Sequence, residues 1–167
     1  WVSVLAMNGA CAIHDYELAA FGATSESVGE EVRHGRFGLW AETAALNDVV
    51  NAGAEEGLGF GEAVGRHMAE AGLAHDDVSV FAAAWRAGVP ATVHVGIGYD
   101  ILHEHPNFDG AAAGAASYRD FLIFSQVLEA LEGGVVLCVG SAVMGPEVYL
   151  KALSMVRNAA ERDGREI

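Results

Sequence analysis

Three short stretches concentrate the residue types that do chemistry. Gly96-Ile-Gly98-Tyr-Asp100-Ile-Leu-His103-Glu-His105-Pro-Asn-Phe-Asp109-Gly110 sets two glycines ahead of a crowd of carboxylates and imidazoles. Glycine lets backbone approach a ligand closely. Asp100 suits a ribose hydroxyl or an amide N–H. His103 and His105 suit proton transfer, because an imidazole changes charge near neutral pH. The two histidines with a carboxylate would also begin a metal set, but His-x-His is short and no third ligand stands at a diagnostic spacing, so no metal is assigned. A plainer arrangement fits the same residues, with Asp109 capping a helix and the histidines bonded to loop backbone.

Asn8-Gly9-Ala-Cys11-Ala-Ile-His14-Asp15-Tyr-Glu17 is the second stretch. Asn8 and Gly9 close a strand and open a helix. His14 and Asp15 in its first turns are candidates for proton transfer, while Asn8 as a cap and Asp15 as a complement to the helix dipole give a purely structural alternative. The third stretch, Gly140-Ser141-Ala142-Val-Met-Gly145, again joins a strand to a helix, where free N–H groups favour phosphate. It lacks the full G-x-G-x-x-G and P-loop patterns, so a tight turn fits it as well. Cys11 reads as a small buried residue and Lys151, the only lysine, as a solvated helix residue.

These stretches need elements to hold them. Val2–Met7, Ala91–Val95 and Val135–Val139 are short, Val-rich runs, each followed by Gly, Asn or Asp, and they predict buried parallel strands. Helical patterns fill the intervals: Ala10–Phe21, a short helix opened by the capping-box spacing Ser27-Val-Gly-Glu30, Leu39–Ala54, Phe60–Ala71, Val78–Ala87, Ala111–Leu131 and Pro146–Ala160. Such alternation predicts an α/β fold with an open, mostly parallel sheet and helices on both faces, whose ligands bind at the carboxyl ends of the strands. All three stretches would then face one mouth. The helix Ala111–Leu131 is apolar over more than one stripe, which predicts cover on two sides and, with few strands to shield the sheet edges, a homo-oligomer.

The 167 residues suffice for one domain with a real core, and 52% are hydrophobic, which excludes a disordered chain. A net charge of -14 opposes binding to nucleic acid or an anionic membrane and welcomes a cationic partner or substrate. No apolar run reaches bilayer length, and the two cysteines read as free thiols of a reducing compartment, so the cytoplasm is the expected location. The chain enters with a strand-like run at Trp1 and leaves after a helix stop at Gly164, so the sequence predicts an internal piece of a longer polypeptide, one domain over 1–167 with elements missing at both ends.

The segments Met7–Glu17, Val93-His-Val-Gly-Ile-Gly-Tyr-Asp-Ile-Leu-His-Glu-His-Pro106 and Gly140-Ser-Ala-Val-Met-Gly-Pro-Glu-Val-Tyr-Leu-Lys-Ala-Leu-Ser154 together resemble the bacterial deoxyhypusine-synthase-like proteins, over nearly the whole chain. The resemblance implies a Rossmann-like domain that binds NAD near the strand ends and assembles as an oligomer. It implies dinucleotide contacts from Asn8, Gly9, Gly96, Gly98, Asp100, Gly140, Ser141 and Ala142, with His14, Asp15, His103 and His105 as the proton-transfer groups. The chain departs from true deoxyhypusine synthases, which carry Gly-Gly-Gly-Val-Val-Lys-His-His where this one has Gly140-Ser-Ala-Val-Met-Gly-Pro-Glu147. Their imine-forming lysine has no counterpart here, since Lys151 is not at the matching position. Protein-lysine aminobutyl transfer is therefore not expected. What remains is an NAD-dependent transferase or oxidoreductase acting on a small amine or polyamine. A non-catalytic nucleotide-binding or regulatory subunit is the alternative, and a metal-dependent hydrolase built on His103 and His105 the third.

Overall fold

The computed structural model describes residues 2–24 and 26–165; Trp1 of the opening run and Glu166 and Ile167 after the helix stop lie outside them. Two compact units divide the chain, 1–120 and 121–167. The first holds β1 (Leu5–Asn8), α1 (Gly9–Phe21), α2 (Val28–His34), α3 (Ala45–Glu55), α4 (Phe60–Glu70), α5 (Val80–Ala87), β2 (Ala91–His94) and the first half of α6 (Gly110–Glu129). Short 3-10 turns at Asp76–Val78 and Ile101–Glu104 precede α5 and follow β2. The second unit holds the rest of α6 and α7 (Met144–Arg162).

Local chemistry sets these boundaries. Asn8 leaves β1 with extended backbone and its side chain accepts from the Cys11 N–H at 3.0 Å, which starts α1. Ser79 does the same for α5 through the Ala82 N–H. β1 and β2 pair in parallel, Leu5 opposite Ala91 and Asn8 opposite His94, so both carboxyl ends lie at one end of the ribbon. Val93 from β2, Ile13 and Tyr16 from α1, Leu46 and Val50 from α3, Phe60, Val64 and Met68 from α4 and Phe81 from α5 form the core of the first unit. In the second unit Phe124 and Leu128 of α6 pack with Ala152 of α7.

α4 lies directly on β2 because Gly61 has no side chain. A Cβ there would stand 2.1 Å from the Ala91 carbonyl oxygen, a backbone atom that cannot step aside. Gly61→Ala is expected to lower stability by about 2–3 kcal/mol, the scale of overpacking in a closed core. Urea denaturation checks this, and an unchanged midpoint would contradict it.

The expected open sheet with helices on both faces is not what the chain forms. It is mostly helical, with a ribbon of two four-residue strands. Val2–Met7 and Ala91–Val95 contribute β1 and β2, but Val135–Val139 is not a strand and its side chains are exposed. The edge of β2 away from β1 is already taken. The Val93 N–H donates to Asp120 Oδ2 at 2.7 Å, the Val95 N–H donates to Ser117 Oγ at 3.1 Å, and the Ser117 hydroxyl donates to the Val93 carbonyl at 2.9 Å. Side chains of α6 thus satisfy backbone groups that a third strand would need.

Smaller departures have local causes. The helix expected over Leu39–Ala54 begins only at Ala45, after turns at Thr43 and Ala44, and Ser27 precedes α2 without a side-chain cap bond. Cys11 is exposed, not buried, because the third residue of α1 faces outward. The broad apolar surface of α6 is covered only in part: Ala113 and Ala116 are buried in the first unit and Phe124 and Leu128 in the second, while Tyr118 and Leu122 stay exposed.

Candidate functional site

The paired carboxyl ends of β1 and β2 lead into Gly9 and into the loop that starts at Gly96. That loop turns back so that Asp100, which is 7% exposed, lays its carboxylate over the first turn of α1. A Cβ at Gly9 would stand 2.3 Å from Asp100 Oδ2, so only glycine admits the contact. Oδ2 is buried and has no hydrogen-bond partner among the described residues. Burial raises the Asp100 pKa above the ordinary carboxylate range, and His103 opposes the shift. The structure therefore brings together Asn8, Gly9, Gly96, Gly98, Asp100 and His103. Asn8 spends its side chain on the α1 cap. Gly96 lies under the ring of Tyr99, and Gly98 takes a left-handed φ of 102°.

The four proton-transfer candidates have different surroundings. His103 Nδ1 accepts from the Gly98 N–H at 3.0 Å, so a neutral ring carries its proton on Nε2, and the ring packs on Phe108. His105 is buried, and its Nε2–H donates to the Gly38 carbonyl at 2.9 Å. Asp15 is buried too and points at α5, accepting from the Ser79 hydroxyl at 2.6 Å, the Val80 N–H at 2.8 Å and the Phe81 N–H at 3.1 Å. His14 is exposed and bonds through Nδ1 to Thr24 Oγ1 at 2.5 Å, while the Thr24 hydroxyl donates to the buried carboxylate of Glu17. The Thr24 proton is committed to Glu17, so His14 Nδ1 is the donor to Thr24 and Nε2 is the nitrogen left to solvent. Glu17 Oε1 also accepts from Thr43 at 3.4 Å.

Gly140, Ser141 and Ala142 belong to the second unit, where the Ser141 hydroxyl oxygen accepts from the Gly145 N–H at 2.7 Å and steadies the start of α7. Among the described residues no group of three or more His, Cys, Asp or Glu side chains is placed to hold a metal. No helix among them is long and apolar enough to cross a membrane.

Two residues passed over in the sequence stand beside this corner. His94 ends β2 opposite Asn8, is buried, and has its pKa pushed down to about 4 by desolvation, so it is neutral at physiological pH. Its Nε2 lies 3.1 Å from Thr92 Oγ1. Asp120 is fully buried and holds β2 and α4 together from behind. His94 hides inside an apolar strand run and Asp120 inside a helix. A histidine within a Val-rich strand was the one signal available.

The corner can be set against the dinucleotide that the resemblance implies. An unpartnered, buried carboxylate oxygen is complementary to hydroxyl donors, so a ribose diol suits Asp100. A pyrophosphate on the α1 N-terminus does not suit it, because a carboxylate already faces that turn. Of a dinucleotide's parts, the ribose hydroxyls are therefore the ones whose chemistry matches the Asp100 carboxylate. No family model, curated protein or solved structure matches the chain.

Proposed function

We propose that the chain binds a nucleotide, NAD in the fullest form of the reading, at the carboxyl ends of β1 and β2, with Asp100 accepting from the ribose hydroxyls. The observation that carries this is the Asp100 carboxylate laid against Gly9 with Oδ2 buried and unpartnered. A group desolvated in this way costs free energy unless a ligand supplies the missing donor. NAD supplies hydride chemistry when bound, and a small amine is the substrate class that a chain of net charge -14 would gather. His103 stands at this corner and keeps Nε2 clear of the hydrogen bond that holds its ring, which makes it the group to move a proton; His14 is held away from it against Thr24 and Glu17. On the same reading the protein works in the cytoplasm as a homo-oligomer.

The second reading, a nucleotide-binding subunit without catalysis, draws on Asp15 and His105. Both are tied to backbone groups of other elements and have structural work to do.

Calorimetry with NAD, ADP-ribose and adenosine tests the proposal. Micromolar to millimolar binding of all three is expected, weakened at least tenfold by Asp100→Ala while the helical circular dichroism is unchanged. Absence of binding by the wild type, or equal binding by the variant, would overturn it. Turnover of NAD with an amine, measured as reduced nicotinamide absorbance, separates the catalytic reading from the second one.

A further inference from the structure

Tyr99 carries an aromatic ring that the fold holds without burying. It is 59% exposed, and its loop begins at the carboxyl end of β2. From Gly96 to Tyr99 the chain turns back on itself: the Tyr99 N–H donates to the Gly96 carbonyl at 3.4 Å, and Gly98 supplies the left-handed φ of 102° that the turn needs. The Gly96 N–H in turn donates to the Tyr99 hydroxyl. His103 braces the same turn, its Nδ1 accepting from the Gly98 N–H. Only glycine at residue 96 admits the folded-back ring, since a Cβ there would stand 1.9 Å from Tyr99 Cε1 and 2.6 Å from its hydroxyl oxygen. One side of the ring is therefore seated on backbone while the rest of it meets water. A ring fixed at both ends gives up little freedom when a second flat group is laid on it.

We infer, on the ribose reading of Asp100, that Tyr99 is the stacking platform for the base of the same nucleotide, so that the adenosine part of the ligand sits at this corner. The two residues are consecutive, and they rest on neighbouring strand ends: Tyr99 over Gly96 beyond β2, Asp100 over Gly9 beyond β1. Paired strands lie about 4.8 Å apart, so a flat apolar face and a hydroxyl acceptor stand within the span of one nucleoside. A purine suits the ring because its fused rings cover the most of an exposed aromatic face, and every base has a π-face to offer. Stacking needs no positive charge from the protein. A polynucleotide brings a row of phosphates that a chain of net charge -14 repels, so the class that fits is a single purine nucleoside or nucleotide.

The test is an NMR titration of the full chain, carrying isotope-labelled tyrosine, with adenosine and with dideoxyadenosine, which keeps the base and lacks the ribose diol. The chain has four tyrosines, and the Tyr99 ring signals are those lost in Tyr99→Phe. Both ligands are expected to move the Tyr99 signals upfield while those of Tyr16, Tyr118 and Tyr149 stay in place. Tyr99→Ala changes an exposed side chain, so it should leave the helical circular dichroism unchanged. It should weaken adenosine about 5- to 150-fold, the range for loss of one base–aromatic stack. Tyr99→Phe keeps the ring and should lose far less. Asp100→Ala should weaken adenosine and leave dideoxyadenosine as it was, which separates the platform from the acceptor. Equal affinities for the two ligands, both reduced by Tyr99→Ala, would sustain the platform and remove the ribose role of Asp100. Dideoxyadenosine that leaves the Tyr99 signals unmoved at millimolar concentration would overturn the inference. So would adenosine bound equally well by Tyr99→Ala, or an equal loss in Tyr99→Phe and Tyr99→Ala, which would assign the effect to the hydroxyl's hold on the loop.

Discussion

Asp120→Ala is expected to destabilise the first unit by about 3–5 kcal/mol, because it strips two buried amides of their acceptor and each loss costs about 1–3 kcal/mol. Asp120 Oδ2 accepts from the Gly61 N–H at 2.8 Å in the first turn of α4 and from the Val93 N–H at 2.7 Å on β2. One oxygen therefore closes a helix start and a sheet edge together. The other oxygen, Oδ1, is buried without a partner among the described residues and lies where a side chain on Gly59 would be. Burial pushes the Asp120 pKa up to about 7, against the two amide bonds that favour the carboxylate; nearby Glu62 raises it further and Arg119 opposes. The folded state thus holds this proton more tightly than the unfolded chain, whose reference pKa is 3.8. The resulting stability is fully present below that value and is lost as pH rises through about 7. Asp120→Asn keeps one acceptor oxygen for the amides and removes the titration. Denaturant midpoints of wild type and Asp120→Asn between pH 4 and 8 should therefore diverge, the wild type falling relative to the variant as pH rises. Parallel curves would show that Asp120 is ionised throughout.

Asp15→Ala is expected to cost about 2–4 kcal/mol, through loss of three bonds to a buried carboxylate that starts α5. The bonds from Ser79, Val80 and Phe81 join α1 to α5 across the core, so the effect belongs to folding. Asp15→Asn retains one acceptor and should lose about half as much. If a turnover assay is established, Asp15→Asn should reduce activity only as far as it reduces the folded fraction. A folded Asp15→Asn protein with a large fall in turnover would return Asp15 to the chemistry.

What the sequence made legible, and what it did not, follows from where the decisive contacts lie. Helices α1, α4, α5 and α7 were readable because their apolar spacing and their flanking Asn8, Gly72, Gly88 and Pro146 are local signals. The sheet was not, because a short Val-rich run is compatible with a strand whether or not an edge exists to receive it. Val135–Val139 carries strand propensity, but Ser117 and Asp120 had already closed the outer edge of β2, and their reach to Val93 spans 24 and 27 residues. The corner at Gly9 and Asp100 was legible as a pair of loops at strand ends. Which of its members were free was not. His105 and Asp15 look like acid–base groups in sequence, and only the fold shows them bonded to Gly38 and to the first turn of α5. Glu17 and Thr24, which hold His14, gave no signal of their own, since their pairing depends on the turn after α1.

The proposed ribose site at the Gly9–Asp100 corner is tested most directly by following the backbone amides of the labelled protein by NMR as ADP-ribose is added. The amides of Gly9, Gly96, Gly98 and Asp100 should shift together along one saturating curve, and the Asp100→Ala variant should lose those shifts while its remaining spectrum stays in place. Shifts confined to other parts of the chain, or a spectrum untouched at millimolar ligand, would contradict the account.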